Sequence, residues 1–235
     1  MKKVIKSHKQ HLPEYTLIRS KRKTLAIYIR NGRVEVRAPQ RMSRARIEDF
    51  LIIKQSWIQR QLEKSAAQLQ QQKKFSLDYG DKLLYRGKSY PIVASSDGTT
   101  SFDGAYFCLP PDLGSGTIKQ ECIQLYRSLA QDYLQERTLA IARQMNVMPA
   151  AIKISNAQKQ WGSCNSKKVI RFSWRIMMAD DPVIDYLIAH ELAHLLEMNH
   201  SPQFWNIVQQ HLPDYKARQK RLRQLQDLLA TQDWT

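Results

Sequence analysis

The chain has few cysteines, no long apolar run and no apolar segment after its basic start. Its three cysteines, Cys108, Cys122 and Cys164, lack the paired spacing of a zinc finger. We therefore expect reduced thiols in a cytoplasmic protein rather than a disulfide scaffold. No stretch approaches the roughly 18 apolar residues that span a membrane, and residues 1–6 are not followed by the apolar region of a secretion signal. These absences predict a cytoplasmic protein that does not contact a membrane.

Acidic residues are scarce in the first part of the chain. The formal net charge is +16 over 235 residues. Residues 1–80 contain 19 lysines and arginines against 6 acidic residues, whereas the remainder contains 18 against 15. This asymmetry favours nucleic acid or another polyanion as a partner of the basic N-terminal region. The alternative is a solvated basic surface that keeps the protein soluble, since no nucleic-acid-binding motif accompanies the charge.

The first part of the chain is predicted to be rich in β-strands and to contain one long helix. Residues 26–30 and 33–37 alternate in polarity around Asn31 and Gly32, which indicates a hairpin with a type I′ turn. Ile27 and Ile29 would then lie opposite Val34 and Val36. Ser43 is a suitable N-cap for a helix over about residues 44–72, whose apolar residues form a stripe.

The predicted elements as a whole indicate an α+β protein with two parts. Residues 110–116 are rich in proline and glycine, which is typical of a linker. We place the boundary there, with a small β-rich N-terminal region and its long helix in residues 1–112. Residues 113–235 form a second, more helical domain, which begins with a helix over about residues 117–145.

Residues 190–194 read His-Glu-Leu-Ala-His, the H-E-x-x-H pattern of many zinc enzymes. Two histidines four residues apart lie on one face of a helix and can bind one metal ion together. Glu191 can then take a proton from a water bound to that ion. Asp181 and Pro182 predict the start of this helix as N-cap and first helical residue. The alternative is a pair of structural histidines satisfied by hydrogen bonds, with Glu191 on the surface.

A third ligand is expected after the helix. His200 follows His194 by six residues, and Ser201 with Pro202 predicts a new helix, so the chain must turn between about residues 198 and 201. Glu197 is the reserve candidate and Asp214 a weaker one. Three ligands with one open position are typical of catalytic zinc sites. Asp185 and Glu197 are candidates to orient the imidazoles.

Residues 161–164, Trp-Gly-Ser-Cys, are expected to frame the site rather than to react. Gly162 suits a tight turn or a close approach of the backbone, and Trp161 could form the floor of a cleft. Cys164 lacks a histidine-paired motif, so we expect a structural role. Phe204 and Trp205 are expected to anchor a helix in the core.

Four stretches in this order resemble the YgjP-like metallopeptidase family and, more distantly, the SprT and WLM zinc proteases. They are residues 19–25, 161–164, 190–194 and 199–205. The resemblance extends over nearly the whole chain and implies a zincin-like catalytic domain behind the β-rich region. It implies that His190, His194 and His200 bind the metal and that Glu191 is the catalytic base. Zinc is the default metal, although histidine ligands also accept nickel, cobalt or copper.

The sequence therefore predicts a zinc-dependent metallopeptidase, a hydrolase that acts on a peptide or protein substrate. One alternative is the same metal centre hydrolysing a non-peptide substrate, such as a nucleoside triphosphate, because an activated water is not restricted to amides. Another is a non-enzymatic, basic nucleic-acid-binding module with a structural metal. That module would need a fourth protein ligand to close the metal site.

Overall fold

The structure is a computed structural model that describes residues 2–5, 12–30 and 32–234. The chain has the mixed α+β architecture that the sequence predicts. Its internal contacts divide it into two compact units, residues 1–75 with 230–233, and residues 76–229 with 234–235. The boundary predicted between residues 112 and 113 falls inside the second unit and, as a domain boundary, stays a prediction.

The first unit contains a four-stranded sheet in the order β1-β2-β4-β3. Its strands are β1 (Lys2–Ile5), β2 (Tyr15–Ser20), β3 (Ala26–Arg30) and β4 (Arg33–Pro39). The predicted hairpin is confirmed, because β3 and β4 are antiparallel with Ile27 opposite Val36 and Ile29 opposite Val34. Gly32 has a φ of +71°, whereas Asn31, the other residue of the predicted turn, lies outside the described residues.

Two helices follow in the first unit, α1 (Arg44–Ile53) and α2 (Gln55–Lys74). Ser43 is the N-cap of α1 as predicted, because its side chain accepts a hydrogen bond from the backbone N–H of Arg46. The prediction of one long helix was wrong, since Lys54 leaves helical geometry with φ −98° and ψ 8°. The apolar stripe continues across Lys54 without glycine or proline, so the sequence pattern gave no sign of the interruption.

The core of the first unit forms between one face of the sheet and both helices. Buried apolar residues alternate along β2 and β4, as expected for a sheet with one covered face. The helices contribute side chains that are fully or almost fully buried: Ile47, Leu51 and Ile58. This packing fixes the position of the β3–β4 hairpin, whose opposite face carries part of the positive charge noted above.

The second unit contains two sheets. The first has the order β5-β6-β8-β7, and its strands are β5 (Lys82–Tyr85), β6 (Lys88–Ala94), β7 (Ser101–Phe102) and β8 (Phe107–Leu109). The second has the order β10-β11-β9, and its strands are β9 (Ala151–Ser155), β10 (Gly162–Cys164) and β11 (Val169–Ser173). Within this second sheet, β10 is an edge strand and is antiparallel to β11.

Four α-helices complete the second unit: α3 (Ser115–Gln144), α4 (Asp181–Ala193), α5 (Pro202–His211) and α6 (Tyr215–Leu229). The predicted α3 is confirmed to within two residues, and Cys122 is buried on it. A 3₁₀ turn over Trp174–Met178 joins β11 to α4. Among the described residues, none of the helices combines the length and apolar character that crossing a bilayer requires.

The start of α4 differs by one residue from the prediction. Asp180, not Asp181, is the N-cap, and its side chain accepts a hydrogen bond from the N–H of Val183 at 3.1 Å. Asp181 instead receives two hydrogen bonds from the guanidinium of Arg86, at 2.7 and 2.6 Å. Either of two adjacent aspartates can cap a helix. Arg86 lies in the β5–β6 hairpin at this end of α4. Because its guanidinium pairs with Asp181, Asp180 is left as the N-cap.

Gly87 makes that approach possible. It has a φ of +77°, and a Cβ atom at residue 87 would lie 2.7 Å from Cβ of Asp180. A side chain at this position would therefore push the hairpin away from the start of α4. The hairpin thus holds the helix that carries the H-E-x-x-H residues.

Candidate metal centre

The three predicted histidines converge. His190 lies in the last turn of α4, and His194 is the C-cap residue with φ −66° and ψ −15°. The helix therefore ends at Ala193, earlier than the break predicted between residues 198 and 201, and the following turn brings His200 back toward it. Nε2 of His200 lies 3.0 Å from Nε2 of His190. One ligand nitrogen from each of the three rings lies within 4.8 Å of the other two.

This geometry fits a divalent metal ion. Two nitrogens that share a tetrahedral zinc at about 2.0–2.1 Å are roughly 3.4 Å apart, close to the separation between His190 and His200. Nδ1 of His194 lies 3.1 Å from the backbone carbonyl oxygen of Glu197. Donation from Nδ1 to that oxygen leaves the lone pair on Nε2, which can then bind a metal. Nδ1 of His190 is buried without a partner among the described residues, so the polar contact of this ring is at Nε2.

The electrostatics of α4 favour neutral imidazoles. Burial, together with the neighbouring rings of His194 and His200, lowers the pKa of His190 to about 3. Burial also lowers the pKa of His194, with His200 contributing in the same direction. Because a metal binds the neutral imidazole, His190 and His194 are both in a binding-competent form at neutral pH.

Aromatic side chains from α5 support the three rings. The Phe204 ring is buried, with its centroid 4.9 Å from His190 and 4.5 Å from His194, so its predicted role in the core is confirmed. Trp205 stacks on His200 at 5.7 Å and on Tyr215 at 5.4 Å. The Trp205 ring thus helps to fix the His200 ring. The sequence did not predict this role, because the two rings are brought side by side by the turn before α5.

Glu191 lies beside the histidines and is buried, with 4% of its surface exposed. Burial raises the pKa of its carboxyl group to about 8. A Cβ atom at Gly162 would lie 2.5 Å from Oε1 of Glu191, and 2.8 Å from both Cγ and Cδ. The close backbone approach expected at Gly162 is therefore present, and its neighbour is the glutamate of the H-E-x-x-H motif.

Several secondary candidates lie elsewhere. Asp185 was expected as a possible partner of an imidazole, but its carboxylate pairs with Arg137 through two hydrogen bonds of 2.7 Å. Asp214 pairs with Arg218 at 2.9 Å. The side chain of Glu197 accepts a hydrogen bond from the N–H of Asn199 at 3.2 Å, and its backbone carbonyl contacts His194. Among the described residues, neither reserve ligand belongs to the histidine cluster.

The Trp-Gly-Ser-Cys stretch frames the site on the side of the second sheet. Trp161 lines a cavity next to His190 and Glu191, in agreement with its expected place in a cleft. Cys164 is half-buried on β10, and burial followed by the charge of Glu191 raises the pKa of its thiol. A raised pKa reduces the thiolate fraction, which favours the structural role expected for this cysteine.

Comparison with known proteins gives one extensive match. The family model described as YgjP-like, metallopeptidase domain, matches residues 23–225. None of the curated proteins is significantly similar to the chain.

Two solved structures share limited similarity with the chain. The crystal structure of the metallopeptidase zymogen of Pyrococcus abyssi abylysin is 18% identical, with 38% of this chain and 91% of that chain covered and a TM-score of 0.36. The crystal structure of the metallopeptidase zymogen of Methanocaldococcus jannaschii jannalysin is 22% identical, with 40% and 95% covered and a TM-score of 0.35.

Proposed function

Because this chain belongs to the YgjP-like metallopeptidase family, we propose that it is a zinc-dependent peptidase whose metal is held by His190, His194 and His200. The observation that carries this proposal is the convergence of three imidazoles beside the buried carboxylate of Glu191. Three protein ligands leave one position for water or substrate, whereas structural zinc sites are closed by four. Zinc is the metal that this donor set favours, and nickel, cobalt and copper are the alternatives.

When bound, the metal would lower the pKa of a coordinated water and polarise the carbonyl group of the substrate. Glu191 accepts the proton of the attacking water and transfers it to the leaving nitrogen. Burial raises the pKa of Glu191 to about 8. The positive charge of a bound metal ion would lower this pKa toward neutrality, where a carboxyl group can both accept and release a proton. The carbonyl of Glu197 orients His194, and Trp205 supports His200.

A peptide substrate is supported by the position of β10. This strand lies at the edge of the β10-β11-β9 sheet and carries Gly162, which contacts Glu191. An extended peptide can add to such an edge through backbone hydrogen bonds. A substrate held in this way would run past the catalytic carboxylate with its backbone amides aligned.

The test is a substrate panel with zinc-loaded protein, in which peptides, an unfolded protein and nucleoside triphosphates are compared. Glu191→Gln should abolish peptide cleavage while one zinc per chain is retained. Glu136→Gln, at an exposed position on α3, is the matched control and should retain cleavage. Cleavage that survives Glu191→Gln contradicts the mechanism. Hydrolysis of triphosphates alone would support the non-peptide alternative, and binding without any hydrolysis would support a non-enzymatic module.

We further propose that the first unit binds nucleic acid and that the protein acts in the cytoplasm. The β3–β4 hairpin supports the first proposal, because the guanidinium groups of Arg30 and Arg37 lie 5.5 and 5.0 Å from the ring centroid of Tyr28. Arg33 lies opposite Arg30 in the register. An aromatic ring among arginines is a suitable platform for a stacked base.

The proposed cytoplasmic location is supported by the three free cysteines, which fit a reducing compartment.

Binding of labelled single-stranded DNA and RNA, measured by anisotropy at several salt concentrations, tests the nucleic-acid proposal. Replacing Arg30 and Arg33 with alanine should weaken binding and reduce its salt dependence. Replacing Lys73 and Lys74, at the end of α2, removes the same charge elsewhere and is the matched control. Equal effects of the two double substitutions would show that charge alone, rather than this hairpin, attracts the nucleic acid.

A further inference from the structure

A cavity of about 240 Å³ adjoins the catalytic carboxylate within the second unit. Glu191 and His190 line it, together with the aromatic side chains of Trp161 and Tyr186. The remaining wall is one face of α6. Clefts that enclose a whole small-molecule ligand measure roughly 300–1,000 Å³, so this smaller cavity suits a single side chain or chain terminus.

The face of α6 that lines the cavity is defined by helical spacing. Gln219, Leu222, Arg223 and Gln226 follow one another at intervals of three, one and three residues and therefore share one side of the helix. Leu222 is buried, whereas Arg223 and Gln226 are exposed at the rim. The cavity thus combines an apolar interior with a polar, cationic rim.

Contacts with α4 fix α6 in this place. Arg221 forms an ion pair with Asp180, the N-cap residue of α4. Arg218 donates a hydrogen bond to the carbonyl oxygen of Pro182 at 3.0 Å. Gln219 on α6 and Tyr186 on α4 line the same cavity. Because these contacts tie α6 to the helix that carries Glu191, Arg223 has a defined position relative to the catalytic carboxylate.

The cavity is lined by one acidic and one permanently cationic side chain. Among its lining residues Glu191 is the acidic group and Arg223 is the permanently charged cation. In the part of the chain that the structure describes, Arg223 forms no ion pair, in contrast to Arg218 and Arg221 on the same helix. A guanidinium group with neighbouring amides is well suited to bind a carboxylate, because it donates parallel hydrogen bonds to both oxygens.

We propose that this cavity is a specificity subsite that binds a carboxylate of the substrate next to the scissile bond, with Arg223 as its specificity-determining residue. This inference rests on the proposed peptidase function. Trp161 and Leu222 offer apolar contacts to the methylene groups of an acidic residue, while the carboxylate reaches Arg223 at the rim. The carboxylate is supplied either by an aspartate or glutamate side chain or by the C-terminus of a peptide.

The test uses zinc-loaded protein with Glu191→Gln, which separates peptide binding from turnover. Labelled peptides that differ only in Glu, Gln or Lys at one position, each as free acid and as C-terminal amide, are titrated by anisotropy. The peptide that presents the bound carboxylate, Glu against Gln or free acid against amide, should bind about 10- to 100-fold more tightly, the range expected for a hydrogen-bonded charge. Adding Arg223→Gln should remove this difference, and Arg223→Glu should reverse it in favour of Lys.

Lys220→Glu is the matched control, because it makes the same change of charge at an exposed position on α6 that does not line the cavity. It should leave the preference for the Glu peptide intact. Retained zinc content and thermal midpoint would show that each variant is folded. A preference for Glu over Gln that survives amidation identifies a side chain as the source of the carboxylate. Tighter binding of the free acid than of the amide, equal for the Glu and Gln peptides and removed by Arg223→Gln, identifies the C-terminus; both results support the subsite.

Affinity that depends neither on Glu against Gln nor on amidation of the C-terminus, or a preference unaffected by Arg223→Glu, would overturn the subsite. That result is independent of the peptidase proposal, which is judged by cleavage with the otherwise unchanged protein. Where cleavage occurs, kcat/KM for the Glu peptide should fall in the Arg223→Gln variant, while kcat/KM for the Gln peptide should change little. A uniform fall for all peptides, the C-terminal amides included, would indicate a structural role for Arg223.

Discussion

Gly162 and Glu191 lie so close together that no side chain fits between them. A Cβ atom at residue 162 would be 2.5 Å from Oε1 of Glu191 and 2.8 Å from Cδ. The backbone of the edge strand β10 thus forms one wall of the space that the carboxylate occupies. Because Glu191 is also buried on its own helix, it has little room to move away from such a side chain.

Gly162→Ala should therefore reduce activity by displacing the carboxylate of Glu191. We expect kcat to fall by about 100-fold, since a displacement of about 1 Å is enough for a loss of this size. Zinc content should be unchanged, because the three histidines are not touched. Steady-state kinetics and metal analysis measure the two quantities.

Gly116→Ala is the control for the Gly162 substitution. It adds the same methyl group near the start of α3, where nothing lies within 4 Å of the added atom. Its kcat should match that of the unchanged protein. Full activity of Gly162→Ala would mean that Glu191 is not held in a fixed catalytic position.

His200→Ala should weaken zinc binding by more than about 100-fold. Loss of a group that merely orients a ligand costs roughly 10- to 100-fold in affinity, and loss of a ligand should cost more. His211→Ala is the control, because His211 is exposed at the end of α5 and lies outside the cluster. Competition with a chelating dye measures the affinities. Unchanged affinity in His200→Ala would direct the search for the third ligand to Glu197.

The pair between Arg86 and Asp181 should make stability depend on pH. The hydrogen bonds from Arg86 lower the pKa of Asp181 below its ordinary value of 3.8. A lowered folded-state pKa contributes stability above the unfolded-state pKa, and that contribution is lost as pH falls through the folded-state pKa. Asp181→Asn should therefore lower Tm at pH 7 and pH 5, and the difference from the unchanged protein should shrink below about pH 4.

Thermal unfolding followed by circular dichroism at these pH values tests the pair. Asp132→Asn, at an exposed position on α3, removes a carboxylate outside the pair and should change Tm little. An effect of Asp181→Asn that is equal at every pH would contradict the ionic origin of the stabilisation.

Cys122 should be protected from alkylation in the folded protein. It is fully buried on α3, and burial raises the pKa of its thiol to about 12, so its thiolate is scarce at pH 8. Cys108 is half-buried and should react first, although burial and Asp103 raise the pKa of its thiol too. Iodoacetamide labelling followed by peptide mass spectrometry, with and without urea, gives the rates. Equal labelling of both cysteines without urea would contradict the packing of α3.

Local patterns predicted several elements well because their physical cause is local. The alternation of residues 26–30 and 33–37 determined the hairpin and its register, since a shift by one residue would expose the apolar side chains. Ser43 capped a helix as its hydroxyl group predicts. The sequence did not predict the interruption at Lys54, because no local signal marks it. It also predicted Asp181 and not Asp180 as the N-cap of α4, because contacts with residues distant in the chain decide between the two.

Some features of the candidate site were likewise predicted from local sequence patterns, and others were not. The spacing of His190, Glu191 and His194 was sufficient to predict one face of a helix, and the signals at Ser201 and Pro202 predicted a turn that returns His200. Asp185 was one of two candidates to orient an imidazole, but its carboxylate pairs with Arg137, and this pairing joins residues 48 positions apart. Trp205 was taken only for a core residue, since its stacking on His200 depends on the geometry of the turn before α5.

The sequence by itself determined the chemistry of this protein: a helix with two histidines and a glutamate, a third histidine after a turn, and an α+β framework. These features follow from residue type and from periodicity along a few turns of chain. Only the tertiary structure decided that Gly162 lies against Glu191 and that α6 places Arg223 beside the same cavity. Such contacts join residues that are far apart in the chain, and they are set by packing of the whole unit, which no local pattern records.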